Sequence, residues 1–373
     1  MVELNFGIFY PDLNVYGGAE FVTVIMANAL VKNGHDVTLF CSKPVKQTEI
    51  ENFFSTRIKS PTKIIVKTTK VVPRGLLDSW QVIFRTYDFK RQVDVWIDNY
   101  SNRVFPWTNI CYIHFPFFNH TRFRPHFPYL KNNTRSMTTF VPDLLLEKSL
   151  PLKNQFLIAN SQYTANEIRC FLNRPSTVLY PPVPSGIFKE AIREDRENLV
   201  VTISRFAEGK GLKKIVDIAA ATSAQVKFAV IGRIHNQNVF SKLQTLLRKR
   251  GLGQKVTLYP DPSRTQLNIM LKKAKVYLHL TEAEHFGISI VEGMAAGCTP
   301  IVHNSGGTRE FVPKQYRYNN NIEAADKVSI AVENWSLLEA KQIRKSAENF
   351  REEKFMARFT EVANGYLEEK FGA

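Results

Sequence analysis

At 373 residues the chain exceeds one ordinary hydrophobic core, and two domains of roughly 180 residues each are the natural expectation. A hydrophobic content of 44% fits a well-packed globular protein; no run of about 18 uncharged apolar residues is present, and Met1 to Phe9 leads straight into a strand pattern, so neither a transmembrane helix nor a signal peptide is expected. The net charge of +16 points to an anionic partner, which could be a membrane surface, a nucleic acid or a phosphorylated substrate. Cys41, Cys111, Cys170 and Cys298 lie far apart without a Cys-x-x-Cys or His-rich partner, which argues against zinc or a disulfide framework and for reduced thiols in the cytoplasm.

The first half opens with an apolar strand pattern over 4–11, a loop holding Gly17 and Gly18, a helix from Ala19 to about Asn33 ended by Gly34, and a second strand over 36–40. This βαβ pattern predicts a right-handed crossover in a parallel sheet. Further strands are predicted over 63–67, 93–98, 108–114, 155–160 and 177–182. Pro181, Pro182 and Pro184, followed by a polar stretch, place the domain boundary at about 182–197. The second half alternates more regularly: strands over 198–206, 226–233, 255–260, 275–281 and 299–304 are separated by segments rich in Lys, Leu and Ala. Such alternation predicts a doubly wound α/β domain with ligands at the carboxyl ends of its strands. Past Asn334 the chain reads as helical, with an amphipathic pattern through Phe355, Phe359, Val362, Tyr366 and Phe371.

The most informative segment is Glu284 to Gly297, EHFGISIVEGMAAG. It follows a predicted strand, and from Ile288 to Ala296 it has the composition of a buried helix ended by Gly297. Gly287 therefore sits where a helix begins, and the unpaired N–H groups there attract phosphate, which a residue without a Cβ lets approach closely. Glu284 precedes the helix and Glu292 lies more than a turn inside it, so the two carboxylates suit different parts of one ligand: the hydroxyls of a transferred sugar and those of a ribose. An ordinary pair of buried, salt-bridged glutamates is the alternative. Arg205 and Lys210 flank the end of the first strand of the second half, where two cations can neutralise a diphosphate without a metal. No Asp-x-Asp stands near a strand end; Asp94 and Asp98 are too far apart to form one.

With VYGGAE (15–20), ANSQYTANEI (159–168), VLYPPV (178–183), SRFAEGKG (204–211), EHFGISIVEGMAAG (284–297) and NSGG (304–307) in this order, the chain resembles the retaining glycosyltransferases of the GT-B fold, family 4. The resemblance covers nearly the whole length. It implies two Rossmann-like doubly wound α/β domains facing across a cleft, an acceptor-side domain of residues 1–185 and a nucleotide-sugar domain of residues 186–350, with a C-terminal helix of residues 351–373 crossing back to the first. It implies that Arg205 and Lys210 hold the diphosphate, that Glu292 holds the ribose and that Glu284 lies beside the donor sugar. Phe286, Gly287, Ile288 and Ser289 complete the donor-binding segment, with Gly287, Ile288 and Ser289 presenting backbone N–H groups to the phosphates. Gly17 and Gly18 would bring the first loop near the pyrophosphate, and His114 matches a histidine that contacts the donor sugar. Catalysis would then rest on Glu284, His114, Arg205 and Lys210, without metal, with the leaving diphosphate taking the acceptor proton. Ser305, Gly306 and Gly307 either cap a helix or touch the ligand, and Asp98 is a candidate for acceptor binding.

Within the family, YIHFPF (112–117), VLYPPV and the 284–307 segment are similar to the α-1,2-mannosyltransferases that extend lipid-linked oligosaccharides. This implies GDP-mannose as donor, with a UDP-sugar as the other possibility, and a glycan or polyprenyl-linked acceptor at the cytosolic membrane face. Residues 57–91 hold nine basic residues against Asp78 and Asp88, and residues 114–129 interleave six Phe and Tyr residues with Arg122 and Arg124. Both features suit a peripheral contact with an anionic membrane, or else a solvated charged face over core phenylalanines. A sugar-nucleotide epimerase and a nucleic-acid-binding or nucleic-acid-modifying protein are the alternative readings; the latter lacks a matching motif, and no nucleic acid is expected.

Overall fold

A computed structural model describes residues 3–66, 90–100, 107–116 and 155–372. The chain forms two units, Met1–Pro182 with Glu352–Ala373, and Val183–Arg351. Most of the basic stretch 57–91 and the aromatic segment beyond residue 116 lie outside the described residues. Among the described residues no helix is long and apolar enough to cross a membrane.

In the first unit seven strands pair in parallel: β1 (Asn5–Phe9), β2 (Asp36–Cys41), β3 (Thr62–Val66), β4 (Val95–Asp98), β5 (Ile110–Ile113), β6 (Phe156–Ala159) and β7 (Thr177–Val178). Their order is β3-β2-β1-β4-β5-β6-β7. Strands β4 and β5 are buried throughout, as expected where helices cover both faces of a parallel sheet. Helices α1 (Gly18–Lys32), α2 (Gln47–Phe54) and α3 (Gln162–Leu172) belong to this unit. Helix α1 is buried continuously from Glu20 to Leu30, more than a single sheet contact requires. Its second cover is the C-terminal helix, Glu352–Phe371. That helix buries Phe355, Phe359, Ala363 and Tyr366, and Asn33 Nδ2 donates to Asn364 Oδ1 at 3.1 Å where the two helices meet.

In the second unit six parallel strands are ordered β10-β9-β8-β11-β12-β13: β8 (Glu197–Ile203), β9 (Lys227–Gly232), β10 (Val256–Pro260), β11 (Ala274–Leu278), β12 (Thr299–His303) and β13 (Arg317–Tyr318). The helices are α4 (Lys214–Ala221), α5 (Gln237–Lys249), α6 (Arg264–Lys273), α7 (Ile288–Ala295), α8 (Asn321–Glu333) and α9 (Leu337–Ala347). Val200, Phe228, Val230 and Val276 from the strands pack with Ile215, Leu243 and Ala325 from the helices in one core. At roughly 1.5–3 kcal/mol for each fully buried large aliphatic side chain, this core is the main force holding the sheet to its helices. Strand β13 has only two residues, too few for a period-2 pattern to reveal it.

The order running outward from β8 is the doubly wound one, and it reverses between β8 and β11. Connections leave these two strands in opposite directions, so their carboxyl ends border an open crevice. Helix α7 follows β11 at that point, and its far end is fastened by two guanidinium groups. Arg196, over the Trp335 ring at 5.3 Å, donates to the carbonyls of Ala274 and Ala296, and Arg344 Nε donates to Ala295 O at 2.7 Å. The carbonyls left over at a helix C-terminus are satisfied there by cations, the favourable sign for that end of the dipole.

Candidate functional site

The start of α7 is shaped by glycine. Gly287 takes φ 95°, a left-handed conformation that side chains resist, and it is the residue before the first helical turn. Its carbonyl accepts from Ile290 N at 2.9 Å, while the N–H groups of Ile288 and Ser289 precede any i−4 carbonyl within the helix. Six residues on, Gly293 lets the helix lie against the Tyr277 ring of β11, where a Cβ would come within 2.7 Å of it. The Tyr277 hydroxyl stands 2.7 Å from Ser289 Oγ and 3.3 Å from Ile203 O, which joins the first turn of α7 to the end of β8. Ser289 Oγ accepts from the Tyr277 hydroxyl, so its own O–H stays available to an anion beside its backbone N–H. Phe286 departs from the expected donor contact: its ring is 1% exposed, packed on Phe311 at 5.0 Å and Phe350 at 5.4 Å. Burial of that ring stabilises the loop, so only the Phe286 backbone remains to meet a ligand.

The two glutamates stand in different surroundings. Glu284 Oε2 lies 3.3 Å from Lys210 Nζ and 3.2 Å from His279 Nε2, and its side chain keeps 19% exposure. Burial would raise this carboxyl, but the Lys210 charge and the His279 hydrogen bond, with His285 close by, hold it well below the usual carboxylate range. His285 is itself buried, and the loss of water pushes its imidazole down to about 4 despite the neighbouring carboxylate. Glu292 is paired instead with Arg264 of α6, Nη1 to Oε1 at 2.6 Å, both side chains mostly enclosed. Arg264 and His279, the partners of the two glutamates, lie 28 and 5 positions away and share no period with them, so no sequence pattern marks them.

The loop carrying Glu284 is clamped from β12. Ala283 adopts φ 50° although it is not glycine, and its N–H donates to Ser305 Oγ at 2.7 Å; Gly307 N donates to Glu284 O at 2.8 Å. A Cβ on Gly306 would stand 2.3 Å from Glu284 O. Ser305, Gly306 and Gly307 therefore position Glu284, and Gly307 opens a short 3-10 turn, which favours the structural alternative for this motif.

Arg205 and Lys210 follow β8. Gly232 at the end of β9 makes room for them, since a Cβ there would collide with Ser204 O at 1.9 Å. Lys210 sits between Gly209 and Gly211, both at positive φ, and a Cβ on Gly211 would meet Leu280 O at 2.4 Å. The backbone contact with Leu280 brings the lysine loop against the chain leaving β11, which is why Lys210 reaches Glu284. Arg205 is exposed, and among the described residues nothing pairs with its guanidinium. Among the described residues no group of three His, Cys, Asp or Glu is arranged for a metal ion.

In the first unit, the ends of β4 and β5 and the start of α1 come together. Asn99 Nδ2 donates to Ala19 O at 3.2 Å and to Thr23 Oγ1 at 2.8 Å, and its Oδ1 lies 2.9 Å from His114 Nε2. His114 therefore donates through Nε2, and burial pushes its imidazole down to about 4, so the ring is neutral near pH 7. Gly17 precedes α1 and Gly18 begins it; a Cβ on Gly17 would stand 2.6 Å from Glu20 Oε2. Glu20 is buried and accepts from the Tyr10 hydroxyl at 2.9 Å. Asp98 is buried as well, one oxygen accepting from Tyr100 N at 2.9 Å. The structure thus gathers His114, Ala19 and Thr23 around Asn99, a residue that no motif of the sequence marks.

Residues 186–353 match the family described as Glycosyl transferases group 1, and residues 16–185 match Glycosyltransferase Family 4. Among curated proteins, the mouse GDP-Man:Man(3)GlcNAc(2)-PP-Dol alpha-1,2-mannosyltransferase is 27% identical over 42% of this chain and 35% of its own length. The alpha-1,3/1,6-mannosyltransferase ALG2 of Eremothecium gossypii is 24% identical over 84% of this chain and 71% of its own length. The first relatives are thus matched over only about a third of their length. Among solved structures, Anabaena HepE in complex with UDP-glucose superposes with a TM-score of 0.75 at 15% identity, over 97% of this chain and all of that one. A glycosyltransferase from Rickettsia africae gives 0.73 at 16% identity, over 99% of this chain and all of that one. Two Rossmann-like parallel sheets, two adjoining family matches spanning residues 16–353 and this structural likeness agree: the chain belongs to the family 4, group 1 glycosyltransferases of the GT-B fold.

Proposed function

We propose that the protein is a retaining hexosyltransferase that moves mannose from GDP-mannose to a glycan or polyprenyl-linked acceptor at the cytosolic face of a membrane, without a metal. The observation that carries this reading is the ion pair of Lys210 with Glu284 at the carboxyl ends of β8 and β11, beside a glycine-led helix start. Arg205, Lys210 and the first N–H groups of α7 supply the positive potential that a leaving diphosphate needs. Glu292, held by Arg264 through one oxygen, accepts ribose hydroxyls, and Glu284 accepts a hydroxyl of the sugar. With two cations and a helix terminus at hand, the diphosphate is stabilised without a divalent ion and can take the acceptor proton on the same face. The names of the relatives support the donor and acceptor classes, since several contain GDP-mannose and a lipid diphosphate.

The test is incubation with labelled GDP-mannose, and separately with UDP-sugars, with and without a polyprenyl-diphosphate glycan, in buffer with and without EDTA. Label passing to the lipid fraction from GDP-mannose, with α-linkage and undiminished by EDTA, is the expected result. Conversion of the sugar nucleotide in the absence of acceptor would instead identify an epimerase, and transfer from a UDP-sugar alone would reassign the donor.

A further inference from the structure

The two donors on Glu284 are not equivalent. His279 follows β11 directly and is pinned from both sides of its backbone: its N–H donates to Ile301 O at 2.8 Å, and its carbonyl accepts from the Tyr318 hydroxyl at 2.8 Å. Its ring is parallel to that of Tyr277 at 6.4 Å and is almost wholly buried. Lys210 stands on a loop between two glycines at positive φ, with a long stem and more exposure. One donor is fixed to the sheet, and the other can turn toward an arriving phosphate.

Both donors meet the same oxygen, Glu284 Oε2. A carboxylate only accepts, so the His279 proton resides on Nε2. The other ring nitrogen, Nδ1, is buried without a hydrogen-bond partner among the described residues, which suits a bare nitrogen and not a second N–H. We infer that His279 is a positioning residue, holding Oε2 of Glu284 in place so that Oε1 stands as the acceptor for a hydroxyl of the transferred sugar when Lys210 turns to the diphosphate. The inference rests on the glycosyl-transfer reading above for its sugar, and on geometry alone for the His279 to Glu284 link. A ligand-binding carboxylate held by a strand end keeps its aim better than one held only by a flexible lysine.

Two variants and one spectrum test it in the full chain. His279→Leu removes the donor, and His279→Gln places an amide N–H near the position of Nε2. Turnover should fall by about tenfold or more in His279→Leu, the loss expected for one hydrogen bond to a charged group, and recover largely in His279→Gln. GDP alone should bind both variants as it binds the wild type, by calorimetry, because the nucleotide does not touch Glu284. In a Glu284→Gln background, His279→Leu should add little. Equal losses in both backgrounds, or GDP affinity falling in step with turnover, would show a merely structural histidine and overturn the inference. Long-range 1H–15N spectra of histidine-labelled protein, assigned with His279→Gln, report the tautomer without any substrate: Nε2–H with bare Nδ1 is expected, and an Nδ1–H tautomer overturns the link even if transfer itself is found. If no nucleotide sugar is turned over but the tautomer is as expected, the link stands and the glycosyl-transfer reading falls.

Discussion

The two units share a parallel, doubly wound plan and place very different chemistry at the same ends of their strands. In the second unit the strand ends carry charge: Lys210 against Glu284, Arg264 against Glu292, and the exposed Arg205 after β8. In the first unit the corresponding ends carry a neutral network of His114, Asn99 and Thr23, with the buried carboxylate of Asp98 closing β4. A charged cluster binds a charged ligand; a neutral one orients hydroxyls without attracting diphosphate. The contrast teaches that the strand plan fixes where a site can be, and that the loop residues decide what it can hold.

Removing the charge from the second unit is the sharpest way to break this contrast. Lys210→Ala should lower transfer by about 10²–10³-fold, as loss of one preorganised charge-stabilising group does, with a smaller drop of the thermal midpoint because Glu284 then keeps only His279 as its donor. If His114→Ala were the more damaging of the two in steady-state assays, the charged end would not be the centre of the chemistry.

Acid tests both units through their buried histidines. His114 and His285 are each pushed down to about 4 by burial, whereas in the unfolded chain each takes a proton near the ordinary value of about 6.5. The unfolded state therefore binds more protons between these values. Stability should be level above about pH 6.5 and fall as pH drops toward 4, by up to on the order of 3 kcal/mol for His285 and less for the more accessible His114. The depressed Glu284 carboxyl adds stability that is present above the ordinary carboxylate range and is lost further into acid. Denaturant midpoints measured from pH 8 to 4 would show the slope, and His285→Asn should flatten it.

A smaller effect distinguishes the ribose end from the phosphate end within the second unit. Glu292→Ala should weaken GDP binding by about 1.5–3 kcal/mol, read by calorimetry, because hydrogen bonds to a charged acceptor are lost. Unchanged affinity would remove Glu292 from the nucleotide. The smallest expected change concerns the first unit's outer surface. Arg57 and Lys59 are exposed, and neutralising either should reduce binding to anionic liposomes by about 1 kcal/mol while donor hydrolysis persists. Losing both together would mark this basic surface as structural.

Much of this was legible in the chain. Short apolar runs located the strands of both sheets except the two-residue β13, and Gly287 with the apolar stretch after it located α7 to within one residue of its end. The first unit gives way to the second at residue 183, among the prolines at 181, 182 and 184. The amphipathic pattern from Phe355 onward marked a helix with one buried face. Other features could not be read. His279 is one of eight histidines, and nothing in its neighbourhood of residues announces that its ring meets Glu284. Asn99 and Arg264 look like ordinary surface residues in sequence, since their partners lie 15, 76 and 28 positions away. Phe286 shows the reverse: it lies in the expected donor-binding segment, while its ring fills an aromatic cluster built with Phe311 and Phe350 and only its backbone faces a ligand.

The sequence by itself determined the elements, their parallel pairing and the glycine positions where backbone must bend or approach closely, because these depend on local sterics and on the periodicity of burial. It also determined that two carboxylates and two cations belong to the second unit. Which cation meets which carboxylate was decided only by the tertiary structure. Lys210 reaches Glu284 because Gly211 lets its loop rest on Leu280, and Glu292 meets Arg264 because α6 and α7 bring them to 2.6 Å. Ion pairs and proton positions depend on distance and on the water excluded around them, and neither quantity exists until the chain has folded.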